Sequence, residues 1–280
     1  MRIHAIQTGS VRIKQSQVRG SGHGLRRRRS ILADPQWTDW LPTYAWMIDH
    51  PEGILVVDTG QGTHLLDRVR SLHPYRRWEV MFRIEPGEEI GPQLRAFGVQ
   101  PRDVRRVVLT HLHIDQDGGL AHFPRSDILV ARGELHTARG WAGRMRGYVP
   151  NRWPTWFNPI PVDLAGESFG PFTASRRLTA AGDVIAVATQ GHTADHLSVL
   201  IVDEGITYVI AGDASYTETL MLAGQIDGVS VHDETALATL RALMRLAAER
   251  PTVYLPTHDP ESAARLSSRR LAATGGAACA

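Results

Sequence analysis

Hydrophobic residues in the first sixty positions come in short runs cut by turn formers. Ile3 to Ile6, Val11 to Ile13, Tyr44 to Ile48 and Ile54 to Val57 read as strands, with His50-Pro51-Glu52-Gly53 turning the last two into a hairpin. Gly20 to Trp40 carries Arg26-Arg27-Arg28-Arg29 without a sustained apolar period, which predicts a long loop with solvated arginines. Helical spacing appears over His64 to Leu72 and Ile90 to Phe97. The run Val104 to Leu109 follows, reading as a strand that gives way to a polar loop at Thr110-His111. A further strand is expected over Ile128 to Ala131, with a helix starting near Gly133. Positions 141–172 are rich in proline and aromatics and read as irregular.

Three strand-like runs come next, Val184 to Thr189, Leu197 to Val202 and Thr207 to Ala211. The clearest helix is Asp233 to Arg250. Leu237, Leu240, Leu243, Met244 and Ala247 recur at three and four, Asp233 can cap it, and Pro251 stops it. A strand at Val253 to Leu255, a helix from Glu261 and a frayed tail from Ala272 to Ala280 complete the chain. Strand-rich, helix, strand therefore occurs twice, as expected for sheets with helices outside them. The expected organisation is one domain over residues 1–280, with irregular insertions near 18–42 and 139–175.

Composition narrows the class. The chain has 280 residues, 42% of them hydrophobic, enough for a sizeable core. Lys plus Arg (31) nearly balance Asp plus Glu (29), so no charged tail or basic stripe points to nucleic acid. No run approaches the roughly eighteen apolar residues that a membrane span needs. Met1-Arg2-Ile3-His4 does not open a signal-peptide pattern, so the expected compartment is the cytoplasm. With Cys279 the only cysteine, any metal must be held by histidine, carboxylate or amide donors. The 13 histidines make their positions informative.

His111 and His113 follow the Val104 to Leu109 strand two residues apart, so in extended backbone their rings project to one side and can converge on a cation. Asp115 continues that side. Three more elements place potential ligands where a strand becomes a loop: Gly191-His192-Thr193-Ala194-Asp195-His196, Gly212-Asp213-Ala214-Ser215-Tyr216 and Pro256-Thr257-His258-Asp259. Asp117 reads as a helix cap ahead of Gly118. Trp37, Trp40, Trp153 and Trp156 either wall an apolar pocket or pack under the long loops.

This series resembles the metallo-β-lactamase superfamily, over nearly the whole chain. The resemblance implies an α/β fold of the αββα sandwich type with a dinuclear metal site at one edge. The family pattern His-x-His-x-Asp-His is matched by His111, His113, Asp115 and Gln116, the Gly-His motif by His192, the bridging carboxylate by Asp213 and the terminal histidine by His258. His111, His113 and His192 would hold the first metal; Asp115, Asp213 and His258, with Gln116 optional, the second. Asp58 matches the upstream motif that orders the ligand loop, and His196 a residue that orients rather than ligates. Gly212 to Thr217 is similar to the segment of N-acyl-homoserine lactonases that supplies the bridging Asp and a Tyr beside the metals, here Tyr216. Gln116 departs from the family's histidine. Its amide oxygen is a neutral, weaker donor, which predicts a looser second site or an inactivated one.

The implied function is a zinc-dependent hydrolase acting on a small apolar lactone or ester, with a homodimer as one form of assembly. Coordination lowers the pKa of water from about 15.7 to about 7, so a hydroxide held by two cations attacks a carbonyl without a Ser or Cys. Asp115 would pass a proton and Tyr216 would donate to the oxyanion. Other esters, thioesters, β-lactams and phosphotriesters remain open as substrates, because the fold hosts many. So does a metal-poor relative that binds without turnover.

Overall fold

The computed structural model describes residues 1–273 apart from 21, 23, 65–68, 70–73 and 140. Cys279, most of the tail and most of the helix expected over His64 to Leu72 lie outside the described residues. The described chain builds two sheets. The first joins β1 (Arg2–Ile13), β2 (Leu41–Asp49), β3 (Ile54–Val57), β4 (Val80–Arg83), β5 (Val104–Leu109), β6 (Asp127–Ala131) and β7 (Ile160–Val162) in the order β4-β1-β2-β3-β5-β6-β7. The second joins β8 (Ser175–Arg177), β9 (Val184–Ala188), β10 (Leu197–Asp203), β11 (Ile206–Gly212) and β12 (Thr252–Pro256) in the order β12-β11-β10-β9-β8.

Period-two alternation decides which face each side chain serves. Leu55, Val57 and Val108 point inward with Trp46, against Val199, Ile201, Ile210 and Leu255 of the other sheet. Their neighbours Val56 and Val107 point outward beneath Ile90, Leu94 and Leu135, which lie on helices. On the far side, Leu200, Val209 and Tyr254 are covered by Leu240, Leu243 and Leu246 of the Asp233–Glu249 helix. Both sheets are thus buried on two faces, which is why their strands read as nearly continuous apolar runs. The layers are helix, sheet, sheet, helix.

Four expectations need correction. The runs Ile3 to Ile6 and Val11 to Ile13 are one strand, which slips register against β2 between Gln7 and Ser10; Gly9 takes φ +79° within that bulge. The segment from Gly20 to Trp40 contains a helix, Gly24–Ala33. Its support is tertiary: Arg27 and Ile31, four apart, are both buried, and Arg27 pairs with Asp233 and donates to the carbonyls of Gly22 and Asp227. The insertion near 139–175 carries the Trp141–Arg146 helix, and β7 extends the first sheet alongside β6. Asp233 is the first residue of its helix, not its cap, and that position is held by His232.

Leu243 is 1% exposed between its helix and the second sheet. Leu243→Ala is expected to lower unfolding stability by about 2–5 kcal/mol, read from urea denaturation. A loss below about 1 kcal/mol would mean that this helix contributes little to the second face.

Candidate metal centre

β5, β9, β11 and β12 run the same way in their sheets, so the loops after them meet at one edge. There His111 Nε2 lies 3.0 Å from His113 Nδ1, and His192 Nε2 lies 3.1 Å from the same atom. Nitrogens around a tetrahedral cation with bonds of about 2.0–2.1 Å stand about 3.3 Å apart, so the spacing suits one ion shared by three imidazoles. Asp213 Oδ2 lies 3.8 Å from His111 Nε2, 3.5 Å from His192 Nε2 and 3.4 Å from His258 Nε2. On its other side His258 Nε2 is 3.6 Å from Asp115 Oδ2. One carboxylate oxygen therefore sits between two groups of donors.

Each ring has an acceptor behind it. His192 Nδ1 donates to Asp227 at 3.1 Å, His258 Nδ1 to the Pro42 carbonyl at 2.9 Å and His113 Nε2 to the Arg146 carbonyl at 3.0 Å. His111 Nδ1 meets Thr110 Oγ1 at 3.1 Å, and that hydroxyl reaches Asp58 Oδ2 at 2.9 Å. Asp58 also accepts the Thr110 amide, from a left-handed backbone at φ 57°. With these acceptors holding the outward protons, the four inward nitrogens are the ones left to give lone pairs to a metal once it displaces any proton they carry.

Burial and charge act together here. Burial and the neighbouring His113 push His111 well below its ordinary value. Burial alone would do the same to His258, but Asp213 and Asp115 outweigh it and raise the ring to about 9. Asp213, although buried, is held well below the carboxylate range by His258, His192 and His111, whereas burial and Asp213 lift Asp115 to about 6. These groups compensate one another's charge, and a cation among them displaces their protons. His196 is lowered to about 3 by burial; its Nε2 accepts the Asp213 amide at 3.1 Å. It orients Asp213.

Gln116 and Tyr216 complete the cluster. Gln116 is fully buried, donates from Nε2 to Asp213 Oδ1 at 3.3 Å, and its Oε1 has no hydrogen-bond partner among the described residues. Tyr216 stacks on His258 with ring centroids 5.7 Å apart. All seven expected ligand positions and Tyr216 thus converge. Asp117 does not cap a helix; it accepts from Trp153 Nε1.

A cleft of about 880 Å³, open mouth included, leads to this cluster. Its apolar wall is Val11, Ile13, Val80, Phe82, Ile114, Val229 and Val231. None of Trp37, Trp40, Trp153 and Trp156 lines it: Trp153 packs on Phe157, Trp37 lies beneath Lys14, and Trp40 and Trp156 are partly exposed at the surface. Two supporting carboxylates escaped sequence reading. Asp227 holds His192, and Glu134, raised by burial, accepts from the Leu112 amide, Tyr148 and Thr193, so that it joins the loops bearing His111 and His192. Neither stands at ligand spacing, and only Asp227-Gly228 carries a turn signal.

Residues 38–258 match the Metallo-beta-lactamase superfamily, and the chain belongs to that family. Among similar proteins, the N-acyl homoserine lactonase AttM of Azorhizobium caulinodans is 24% identical over 278 residues, covering 94% of each chain. The probable metallo-hydrolase Rv2300c of Mycobacterium tuberculosis is 29% identical over 231 residues, covering 77% of this chain and 70% of its own. Among solved structures, an N-acyl homoserine lactone hydrolase with N-hexanoyl-L-homoserine at its catalytic metal center superimposes with a TM-score of 0.75 at 20% identity, covering 92% and 93% of the two chains. AidC, a dizinc quorum-quenching lactonase, gives 0.64 at 13% identity, covering 92% and 87%. The chain is accordingly a metallo-hydrolase of this fold. Among the described residues no helix is long and apolar enough to cross a membrane.

Asp227 Oδ1 accepts the Val229 and Ser230 amides while Oδ2 faces His192. In Asp227→Asn the remaining oxygen stays with those amides, and the new NH₂ confronts His192 Nδ1, forcing the ring proton inward. Metal affinity is expected to fall about 10–100-fold in a chelator competition titration. Unchanged affinity would remove Asp227 from the support of the centre.

Proposed function

We propose that the protein opens a lactone of the N-acyl homoserine lactone type, using zinc at the histidine-carboxylate cluster. The carrying observation is the joint placement of the three imidazoles, the Asp115–His258 pair and Asp213 between them, in a cleft with an apolar wall. The full-length match to proteins named as lactonases supports the same substrate class.

His111, His113, His192 and Asp213 would hold one cation; Asp115, Asp213, His258 and Gln116 the other. Two such ions would supply an acidified water and a Lewis acid for the carbonyl. The chain's own groups do the rest. The apolar wall takes the acyl chain and excludes water from the buried donors. Tyr216, beside His258, donates to the oxygen that gains charge when water adds to the carbonyl carbon. Asp115 takes the proton released by that water and returns it to the ring oxygen as the ester C–O bond breaks, giving a hydroxy acid.

The first test combines elemental analysis with turnover on a panel of N-acyl homoserine lactones, aryl esters, a β-lactam and a phosphotriester. Zinc-loaded protein is expected to favour the lactones. Turnover of another class with the lactones untouched would sink the assignment. His192→Ala is expected to abolish both metal retention and hydrolysis; a variant that keeps its zinc and rate would show that His192 is not a ligand. Tyr216→Phe should leave metal content unchanged and slow lactone turnover by roughly ten- to a thousand-fold. An unaltered rate would reduce Tyr216 to packing.

A further inference from the structure

The donors on the two sides of Asp213 differ in chemical character. On one side stand three imidazole nitrogens. On the other stand the carboxylates of Asp115 and Asp213, His258 Nε2 and the carboxamide of Gln116. Gln116 supplies the observation that makes this more than a weakened copy of a histidine site. It is fully buried, and Oε1 has no partner among the described residues. A carbonyl oxygen stripped of water and left unbonded is destabilising, and turning the carboxamide would place that oxygen beside Asp213, where a cation would bond it, with the NH₂ moved to the unpartnered place.

The spacing allows it. Turning the carboxamide about its last bond exchanges Nε2 with Oε1 and brings the oxygen to the place now 3.3 Å from Asp213 Oδ1. The His258 contacts to Asp213 and Asp115 are 3.4 and 3.6 Å. Donors on one cation with bonds of about 2.1–2.2 Å stand about 3.0 Å apart at octahedral corners and about 3.5 Å at tetrahedral ones, so each of these three separations is the size of one such edge, Gln116 facing Asp213 Oδ1 and His258 facing Oδ2. The resulting set is three oxygens and one nitrogen. Carboxylate and carbonyl oxygens suit harder ions such as Mn²⁺, whereas an imidazole-rich set suits Zn²⁺.

We propose that Gln116 makes the second position an oxygen-rich site with little preference for zinc over manganese, so that the centre fills unequally, zinc among the three imidazoles and Mn²⁺ beside Gln116. The inference rests on the metal reading given above and not on the lactone. In the metal-free chain the Gln116 amide N–H holds Asp213 Oδ1, and loading the second position exchanges that hydrogen bond for an Oε1 contact. A histidine at 116 would offer zinc a stronger donor and restore discrimination against manganese.

The test is a titration of metal-stripped full-length protein without substrate. One equivalent of Zn²⁺ is added, then Mn²⁺, with bound manganese read by electron paramagnetic resonance and both metals counted after gel filtration. The expected product holds one zinc and one manganese per chain. Gln116→Ala should keep the zinc and the circular dichroism of the parent and bind manganese at least about tenfold more weakly. Gln116→His, which preserves bulk, should raise the ratio of zinc to manganese affinity at the second position by at least about tenfold and yield two zinc ions when two equivalents are supplied. Manganese affinity unaltered in Gln116→Ala would overturn the proposal. So would a parent that takes its second zinc as tightly as the first and excludes manganese. A chain inactive on every lactone can still pass this test, whereas one that retains no metal at either position fails it together with the metal reading beneath it.

Discussion

Four imidazoles each turn one nitrogen toward a common centre because each has an acceptor at its back. A buried neutral histidine places its proton wherever it finds a partner. Asp227, the Pro42 and Arg146 carbonyls and the Thr110–Asp58 pair take those protons away from the cluster. Much of the architecture serves this one requirement. Pro42 is on β2, Asp58 just beyond β3, Arg146 at the end of a helix in the long insertion, and Asp227 in the loop before the longest helix, so segments distant in sequence must pack before the donors can converge.

The packing of two sheets provides the frame. Strands buried on both faces leave their ends as the place where polar side chains can gather, and the loops after β5, β9, β11 and β12 share one edge. Gly212 shows how tight that edge is. It adopts φ +56°, and a Cβ there would lie 2.7 Å from His196 Nε2 and 2.8 Å from Thr110. The backbone passes between the residue that orients Asp213 and the one that seats His111, and only glycine leaves room.

The candidate ligands were readable because each follows a long apolar run, and strand ends concentrate such side chains. Their supports were not, since what makes Glu134 or Asp227 useful is contact across 22 and 35 residues of chain, and no local spacing encodes that. The helix Gly24–Ala33 failed to register for the same reason: four consecutive arginines hide a pair of inward positions, Arg27 and Ile31, whose partners lie far along the sequence. The tryptophans left two readings open, a pocket wall or packing under the long loops, and no local spacing decides between them. None of the four lines the cleft, whose apolar wall comes from β1, β4 and the segment after Asp227, with Phe82 its aromatic member.

That last segment joins two tasks usually treated as separable. Val229 and Val231 shape the cleft, and Asp227, two residues earlier, holds the His192 proton. Arg27, from the helix over the cleft, braces the same stretch through the Asp227 carbonyl and Asp233. A substitution that reshapes this wall to admit a different substrate therefore also strains the carboxylate behind His192. For an evolving or engineered lineage, selectivity and metal retention are inherited together along this stretch, and widening the one without a compensating change elsewhere loosens the other.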